Sequence, residues 1–272
     1  MDPDQRPGDV EQTIASGGID RTYRLGIPAG YDPDDPAPLL LNLHGSGSNA
    51  LQASVYGDVP REAAERGAVT VTPDAVDGRW QLAGSGTDDD FLIALVDDVE
   101  QRYCIDRDRE HIIGMSLGAW KAALTTCEHP GRFASVALVT VEVHPPGCEP
   151  TSVIAFHGTA DATVPYGEGG EVDPARTPWK GLPGARENIV AWAKGAGCDP
   201  DPQISSVGDD VELRRFEGCD PGFGVELFTI HGGGHTWPGS DIDIAAKDLT
   251  TRTIAATDLS LDWFEAHPLT KR

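Results

Sequence analysis

The alternation of short apolar runs with amphipathic segments is the feature that most constrains the fold of this 272-residue chain. The apolar runs have the length and composition of strands buried on both faces; they are Leu39–Leu43, Ala68–Thr72, Ala134–Val141, Val153–His157 and Val225–Ile230. Segments with helical spacing separate them: Asp89–Tyr103, Leu117–Cys127, Asn188–Lys194 and Thr253–His267. Strands that alternate with helices predict an α/β fold, with a mostly parallel sheet and helices on both of its faces.

No composition shift or Ser/Pro-rich linker divides the chain. We therefore expect residues 1–19 to form a flexible N-terminal lead-in and residues 20–272 to form a single catalytic domain. The Gly- and Pro-rich stretch 168–186 is interpreted as an excursion from that domain. A chain of this length can bury a sizeable core without needing disulfides or metal ions.

The charge balance excludes several kinds of partner. The chain has 21 Lys and Arg against 44 Asp and Glu, a net charge of −23. Nucleic acids and anionic lipids are both poor partners for such a chain, and the longest apolar run, Phe91–Val96, is too short to span a membrane. The acidic surplus fits an ordinary solvated surface or adaptation to high salt, and composition leaves both open. No CxxC pair and no EF-hand spacing occurs, so no metal site is expected.

The sharpest local signal is Gly114-Met115-Ser116-Leu117-Gly118, which follows a predicted strand, His111–Met115, and opens a predicted helix. In this context G-x-S-x-G forms a nucleophile elbow, a sharp turn that lifts the serine hydroxyl above the sheet edge. A side chain at either glycine would collide with neighbouring backbone. The helix N-terminus beneath the serine offers free N–H groups. Ser116 is therefore the predicted nucleophile.

A serine hydroxyl needs a base, and the base needs a group that orients it. Asp161 lies in the loop after the strand Val153–His157, and His235 follows the strand Val225–Ile230 within a Gly-rich loop. The order Ser, acid, His matches this fold, so Asp161 and His235 complete a predicted triad. The competing candidates are His231 for the base, and Asp173 and Asp241 for the acid. His157 is expected to be a packed or hydrogen-bonded histidine.

The loop His44-Gly45-Ser46-Gly47-Ser48-Asn49 follows the first apolar strand. In this fold one donor to the oxyanion comes from that loop and the other from the residue after the nucleophile. The predicted donors are the backbone N–H groups of Ser46 and Leu117. Trp80 and Trp237 are candidate substrate-binding aromatic residues, although packing in the core is an equally good interpretation for Trp237.

With these pieces in place, the chain resembles the secreted feruloyl esterase and polyhydroxybutyrate depolymerase-like family of α/β-hydrolases. The resemblance runs from about Tyr23 to the last helix. Its landmarks are YRLGIPAGYDP (23–33), LNLHGSGSN (41–49), RYCIDRDR (102–109), GMSLG (114–118), HGTADATVPY (157–166) and GGGHTWPG (232–239). The family's catalytic serine, aspartate and histidine correspond to Ser116, Asp161 and His235. The chain departs from the family after the serine, where it has Leu117 and Gly118.

The resemblance also implies a disulfide between Cys198 and Cys219, worth about 3 kcal/mol in the chain-entropy model. A second bridge could join two of Cys104, Cys127 and Cys148, and the sequence leaves all three pairings open. Disulfides imply an oxidising compartment. We therefore expect a secreted protein although the N-terminus shows no signal peptide, with its leader absent from this sequence; a cytoplasmic protein is the alternative.

These observations predict a monomeric serine esterase that works through an acyl-enzyme and needs no cofactor. The expected substrates are small or polymer-linked: hydroxycinnamoyl (feruloyl) or acetyl esters of plant polysaccharide. The alternative is a polyester depolymerase acting on polyhydroxyalkanoate or a synthetic aromatic polyester. An alternative of another class is a catalytically silent binding protein with the hydrolase fold.

Overall fold

The computed structural model describes residues 8–82, 87–176, 179–242 and 249–269. One ten-stranded sheet runs through this part of the chain: β1 (Gly8–Ser16), β2 (Ile19–Ile27), β3 (Ala37–Leu43), β4 (Val69–Pro73), β5 (Ile105–Met115), β6 (Ser135–Val139), β7 (Ser152–Gly158), β8 (Gln203–Val207), β9 (Val211–Phe216) and β10 (Val225–Ile230). The helices are α1 (Ala50–Tyr56), α2 (Val59–Glu65), α3 (Thr87–Arg102), α4 (Leu117–Glu128), α5 (Ala185–Gly195) and α6 (Ala256–Ala266). Short 3-10 helices lie at Val76–Gly78 and Pro174–Arg176.

The strand order is β1-β2-β4-β3-β5-β6-β7-β10-β9-β8. The six central strands, from β4 to β10 in that order, are parallel to one another. Antiparallel pairs, β1 with β2 and β8 with β9, extend the sheet at its two edges. The predicted α/β class with a mostly parallel sheet is thus confirmed.

Two apolar clusters explain why helices cover both faces of the sheet. On one face, Phe91 and Leu95 of α3 and Trp192 of α5 pack against the strands. On the other face, Val59 of α2 and Phe264 of α6 do the same. Every residue of β6 and β7 is buried, which accounts for their unbroken apolar runs. Each fully buried Leu or Phe contributes about 2 kcal/mol by removing apolar surface from water.

The expected lead-in over residues 1–19 needs correction. Residues 8–16 form β1, which pairs in register with β2 from Gly8 opposite Ile27 to Ser16 opposite Ile19. The turn between them is Gly17-Gly18, with φ of 62° and 79°, which is the turn that favours tight hairpins. Gln12 also accepts hydrogen bonds from the Tyr23 hydroxyl at 2.9 Å and from Arg102 at 2.8 Å. The glycine pair was the sequence signal for this hairpin, and residues 1–7 lie outside the described residues.

Two disulfides are present. One joins Cys198 to Cys219, as the resemblance implied, and the other joins Cys127 to Cys148. Cys104 remains a free thiol. The second bridge selects one of the three pairings that the sequence left open, and it ties the end of α4 to the chain beyond β6.

Within the described ranges, no helix combines the length and apolar character that crossing a bilayer requires.

Candidate active site

Ser116 stands at the sharp turn between β5 and α4. Its φ of 57° and ψ of −121° fall in a region that non-glycine residues rarely adopt, and such strain costs about 1–3 kcal/mol. Both neighbouring glycines are required by contact: a Cβ at Gly114 would lie 2.4 Å from the Gly118 carbonyl, and a Cβ at Gly118 would lie 2.2 Å from the Leu43 oxygen. The backbone around the serine is therefore held by close packing against two other segments.

Asp161 lies in the loop that follows β7, and it is fully buried. Its Oδ1 accepts hydrogen bonds from the backbone N–H groups of Thr163 and Val164, both at 2.8 Å. Burial by itself raises the pKa of Asp161, but the hydrogen bonds from His157 and His235 outweigh it and hold that pKa well below its usual range. The carboxylate is therefore ionised and fixed in orientation.

His235 follows β10 and is held against Asp161. Its Nδ1 lies 2.7 Å from Asp161 Oδ2, so Nδ1–H donates to the carboxylate and Nε2 is left to accept a proton. The two loops also cross: the Ala160 amide donates to the Gly233 carbonyl at 2.8 Å, and a Cβ at Gly158 would lie 2.1 Å from that oxygen. The glycines of this loop allow the close approach that brings the two side chains together.

Ser116 and His235 line the same cavity, which has a volume of about 590 Å³. Asp161 lies behind His235 rather than in the cavity wall. The opposite wall is apolar and comes largely from α1, with Leu51, Val55 and Tyr56. The structure thus brings together a strained serine, a histidine held by a buried carboxylate, and a cavity of the size that takes a small organic group.

The competing candidates do not reach this arrangement. His231 is exposed, and its amide pairs with the Asp210 carbonyl at the start of β9. Asp173 and Asp241 are both exposed. His157 is buried and hydrogen-bonded, as the sequence predicted.

Ser46 and Leu117 are the residues whose amides were predicted to donate to the oxyanion. Ser46 lines the cavity, and Leu117 is the first residue of α4, whose amide has no acceptor one turn earlier. The His44 side chain makes hydrogen bonds that hold the loop carrying Ser46. Its Nδ1 lies 2.7 Å from the Gly45 carbonyl, and its Nε2 accepts from the Ala75 amide at 3.0 Å. Burial lowers the pKa of His44, so the ring is neutral and acts as a support for the loop.

The two tryptophans occupy different places. Trp237 lines the cavity, with its amide donating to the Tyr56 hydroxyl at 3.0 Å and its indole N–H donating to Thr257 at 3.0 Å. Trp80 does not line this cavity: it is 4% exposed, and its indole N–H donates to the His44 carbonyl at 2.8 Å. The expectation that Trp80 touches substrate is therefore corrected, because its ring packs beneath the loop that carries Ser46.

Sequence reasoning also missed Glu142, which follows β6 and contacts His157 at 2.9 Å behind Asp161. Within the described residues, one group of potential metal ligands lies close together: Asp89, Glu128 and His129. Glu128 ends α4, about 18 Å along the helix from Ser116 at 1.5 Å per residue. Asp89 contacts Lys121 and Thr125. None of the three residues lines the cavity that Ser116 and His235 share.

Comparison with known proteins agrees with the fold. No model of a known protein family matches the chain. Among solved structures, acetyl xylan esterase from Aspergillus awamori superposes on 94% of this chain and 99% of its own with a TM-score of 0.66 at 12% identity. An S-formylglutathione hydrolase from Agrobacterium tumefaciens superposes on 96% of this chain and 95% of its own with a TM-score of 0.60 at 15% identity. At these identities the likeness shows the fold, which is that of the α/β-hydrolases.

Sequence relatives are named as esterases. "Putative esterase NocK" of Nocardia uniformis subsp. tsuyamanensis is 28% identical over 92% of this chain and 80% of its own length. Feruloyl esterase B of Piromyces equi is 29% identical over 79% of this chain, and the match spans 42% of that protein. Taken with the fold, this similarity identifies the chain as an esterase, a carboxylic ester hydrolase, of the α/β-hydrolase type.

Proposed function

We propose that the chain is a serine esterase that works through an acyl-enzyme, with Ser116 as nucleophile, His235 as general base and acid, and Asp161 as the group that orients His235. The observation that carries this proposal is the shared cavity: a strained serine and a histidine held at 2.7 Å by a buried carboxylate face the same space. Strain at a polar side chain in a cavity is typical of catalytic serines.

In the proposed reaction, Ser116 Oγ attacks the ester carbonyl carbon while His235 Nε2 takes the hydroxyl proton. The amides of Ser46 and Leu117 donate to the oxygen that becomes negatively charged. His235 then gives its proton to the leaving alcohol, and the acyl group stays on Ser116. A water molecule then attacks the acyl carbonyl while His235 takes its proton. The bond to Ser116 Oγ breaks, His235 returns the proton to Ser116, and the carboxylic acid is released. Asp161 stabilises the protonated form of His235 in both halves and keeps its own charge.

The proposed substrates are hydroxycinnamoyl or acetyl esters of plant polysaccharide. An apolar wall with Leu51, Val55, Tyr56 and Trp237 suits an aromatic or short acyl group, and 590 Å³ is ample for either. The names of the relatives agree with a feruloyl or acetyl ester.

A polyester is the second candidate, and the rim of the cavity favours it. Leu51 is 55% exposed, Val55 is 52% exposed and Ile242 is 39% exposed. Together they form an apolar approach on which an extended polyester chain would lose water from its methylene or aromatic groups. We further propose that the protein is exported, which the two disulfides support, and that it is a monomer.

The test is hydrolysis of p-nitrophenyl acetate, methyl ferulate and a soluble polyester oligomer by wild type and Ser116→Ala. We expect the serine variant to lose activity by about 10⁴-fold or more. His235→Ala should do the same, whereas the matched variant His231→Ala, in the same loop but exposed, should keep full activity. Ferulate release supports the cell-wall ester, and preference for the oligomer supports the polyester.

The same variants separate an enzyme from a silent binding protein. An organophosphonate that reacts with activated serines should label wild type once, at Ser116, and should leave Ser116→Ala unlabelled. Folded wild type that takes no label and hydrolyses none of the three esters would contradict the proposed function.

A further inference from the structure

Two buried charged side chains behind Asp161 have no part in the triad. His157 lies near the end of β7, four residues before Asp161, and Glu142 follows the adjacent strand β6. Both are 2% exposed. Charged groups are seldom buried unless they pair with one another, so the location of this pair against the triad calls for an explanation in terms of Asp161.

The backbone is strained to bring Glu142 to this position. Thr140, just beyond β6, has φ of 68°, an uncommon value for a β-branched residue. Its amide donates to the Phe156 carbonyl at 2.8 Å, and the Glu142 carbonyl accepts from the Trp192 indole at 3.0 Å. Glu142 is therefore held on both sides, and its carboxylate faces β7.

The contacts of His157 fix its protonation state. Nδ1 lies 2.9 Å from both oxygens of Glu142. Nε2 lies 2.9 Å from the Val164 carbonyl and 3.5 Å from Asp161 Oδ2. Every neighbour of the two nitrogens is an acceptor, and only an imidazolium can donate from both. Burial lowers the pKa of His157, but attraction to Glu142 and hydrogen bonds with Asp161 and Glu142 outweigh it and raise that pKa well above the ordinary value.

The imidazolium lies against the oxygen that the triad uses. Asp161 Oδ2 accepts from His235 Nδ1 at 2.7 Å and faces His157 Nε2 at 3.5 Å. A positive charge at that distance stabilises the ionised carboxylate and reduces the negative field that His235 feels. Glu142 neutralises the imidazolium, so the buried group as a whole does not carry excess positive charge.

We propose that Glu142 and His157 form a buried ion pair that positions Asp161 and, through it, tunes how readily His235 takes and releases a proton. The proposal rests on the function proposed above, and both residues are positioning residues, since neither lines the cavity that Ser116 and His235 share. His157 faces the same oxygen of Asp161 that accepts from His235, and Glu142 holds His157 charged.

The described titratable groups around the pair are few. Glu142 and Asp161 face the His157 ring directly, and Tyr166 packs edge-on with ring centres 5.5 Å apart. The Tyr166 hydroxyl contacts Thr229 at 2.7 Å and accepts a hydrogen bond from Arg186 at 3.1 Å. Asp161 faces His235. The pH response therefore depends on Glu142, His157, Asp161 and His235 together.

The test compares the pH profiles of kcat/KM for wild type, His157→Gln and Glu142→Gln/His157→Gln. Removing the imidazolium leaves Glu142 unbalanced, so His235 holds its proton more strongly. The acid limb of the profile should move to higher pH by about one unit. The double variant replaces the ion pair by two neutral amides, and its acid limb should return toward that of wild type.

Arg132→Gln is the matched control. Arg132 lies between the buried side chains of Glu100 and Glu110 near the amino end of the sheet, so its loss also removes a cation from buried acidic groups. It should lower stability and leave the acid limb unchanged. An unchanged acid limb in folded His157→Gln, or an equal shift in Arg132→Gln, would overturn the proposal.

A second measurement decides the matter if His157→Gln fails to fold. In the ¹⁵N NMR spectrum of wild type, one histidine ring should stay doubly protonated above about pH 8, beyond the ordinary histidine range. That signal should lose its proton at lower pH in Glu142→Gln. A neutral His157 ring in wild type at pH 8 would overturn the proposal. Failure of the proposed function is distinguishable, because Ser116→Ala would then retain ester hydrolysis whatever these spectra show.

Discussion

The molecule places a cation between two buried acidic side chains at both ends of its sheet, and the two clusters differ in kind. At the carboxyl end, His157 lies between Glu142 and Asp161. At the amino end, Arg132 lies between Glu100 of α3 and Glu110 of β5. Each of these four carboxylate residues has a side chain no more than 4% exposed. The histidine cluster contacts Asp161 of the proposed triad, whereas the arginine cluster joins α3 to β5.

The difference lies in the cation and in what lies beyond it. Arginine keeps its proton at any ordinary pH, whereas histidine holds its second proton only while its partners favour it. The arginine cluster ends at the surface, where Arg132 also reaches the exposed Asp97 at 3.0 Å. The histidine cluster ends at the cavity. The cation next to the proposed triad, His157, can therefore gain and lose its charge. The cation that joins α3 to β5, Arg132, keeps its charge.

Asp161→Asn should give the largest effect in this comparison. Its amide cannot accept from His235 as the carboxylate does, and the imidazole loses both its orientation and the charge that stabilises its protonated form. We expect kcat to fall by about 10⁴-fold, as for the corresponding change in other triads. Steady-state kinetics on p-nitrophenyl acetate provide the measurement. Asp173→Asn, a change at an exposed acid in the stretch 168–186, is the control and should change kcat little.

Arg132→Gln should come second and should act on stability alone. It removes the cation between the buried side chains of Glu100 and Glu110, and breaking a buried pair of this kind costs about 3 kcal/mol. Urea unfolding followed by fluorescence gives the free energy of unfolding. Activity per folded molecule should match wild type; a large fall in kcat would show that the two clusters are coupled after all.

The third prediction concerns the pH dependence of stability. Burial, and then the hydrogen bond with Glu100, raise the pKa of Glu110 well above its ordinary value of 4.5. The folded protein therefore holds a proton there that the unfolded chain gives up. Glu110 stabilises the fold fully below pH 4.5, and that contribution is lost as pH rises through its folded pKa.

Glu110→Gln tests that sign. The free energy of unfolding of wild type should carry a downward contribution with rising pH in the range above 4.5, and the variant should lose that slope. Unfolding by urea at a series of pH values provides the measurement. Glu100→Gln is the companion variant, because the pKa of Glu100 is lowered: burial raises it, but hydrogen bonds with Glu110 and Arg132 outweigh burial. An unchanged slope in Glu110→Gln would contradict the assignment.

Tyr166→Phe should give the smallest effect. It keeps the ring that packs on His157 and removes a hydroxyl bonded to Thr229 and Arg186. We expect a loss of about 1 kcal/mol in the free energy of unfolding, the usual value for one buried hydrogen bond. The acid limb of kcat/KM should stay in place. A shift like that expected for His157→Gln would mean that the Tyr166 hydroxyl and its hydrogen bonds, rather than the charge of His157, tune the site.

Local signals explain which parts of the molecule could be predicted. The elbow at Ser116 depends on glycines two residues away, and Asp161 and His235 each follow a recognisable strand, so their placement was predicted from pattern. The contact between Glu142 and His157 depends on β6 and β7 being neighbours, which no local pattern states. Trp80 was misassigned for the same reason, since its partner, the His44 carbonyl, is 36 residues distant. The hairpin of β1 was not predicted because β1 is mostly exposed and has no apolar run, which leaves the Gly17-Gly18 turn as its one local signal.

The sheet order has a consequence for how the protein comes to be active. The groups that face the cavity come from segments as far apart as Ser46 and His235, and β10, which precedes His235, pairs with β7 from the middle of the chain. Contacts between such distant segments form late in folding because they close long loops. A nascent or proteolysed chain that ends before β10 lacks His235, the proposed base. Hydrolysis by this protein is therefore a property of the completely synthesised and folded chain, and it can serve as a direct assay for folding.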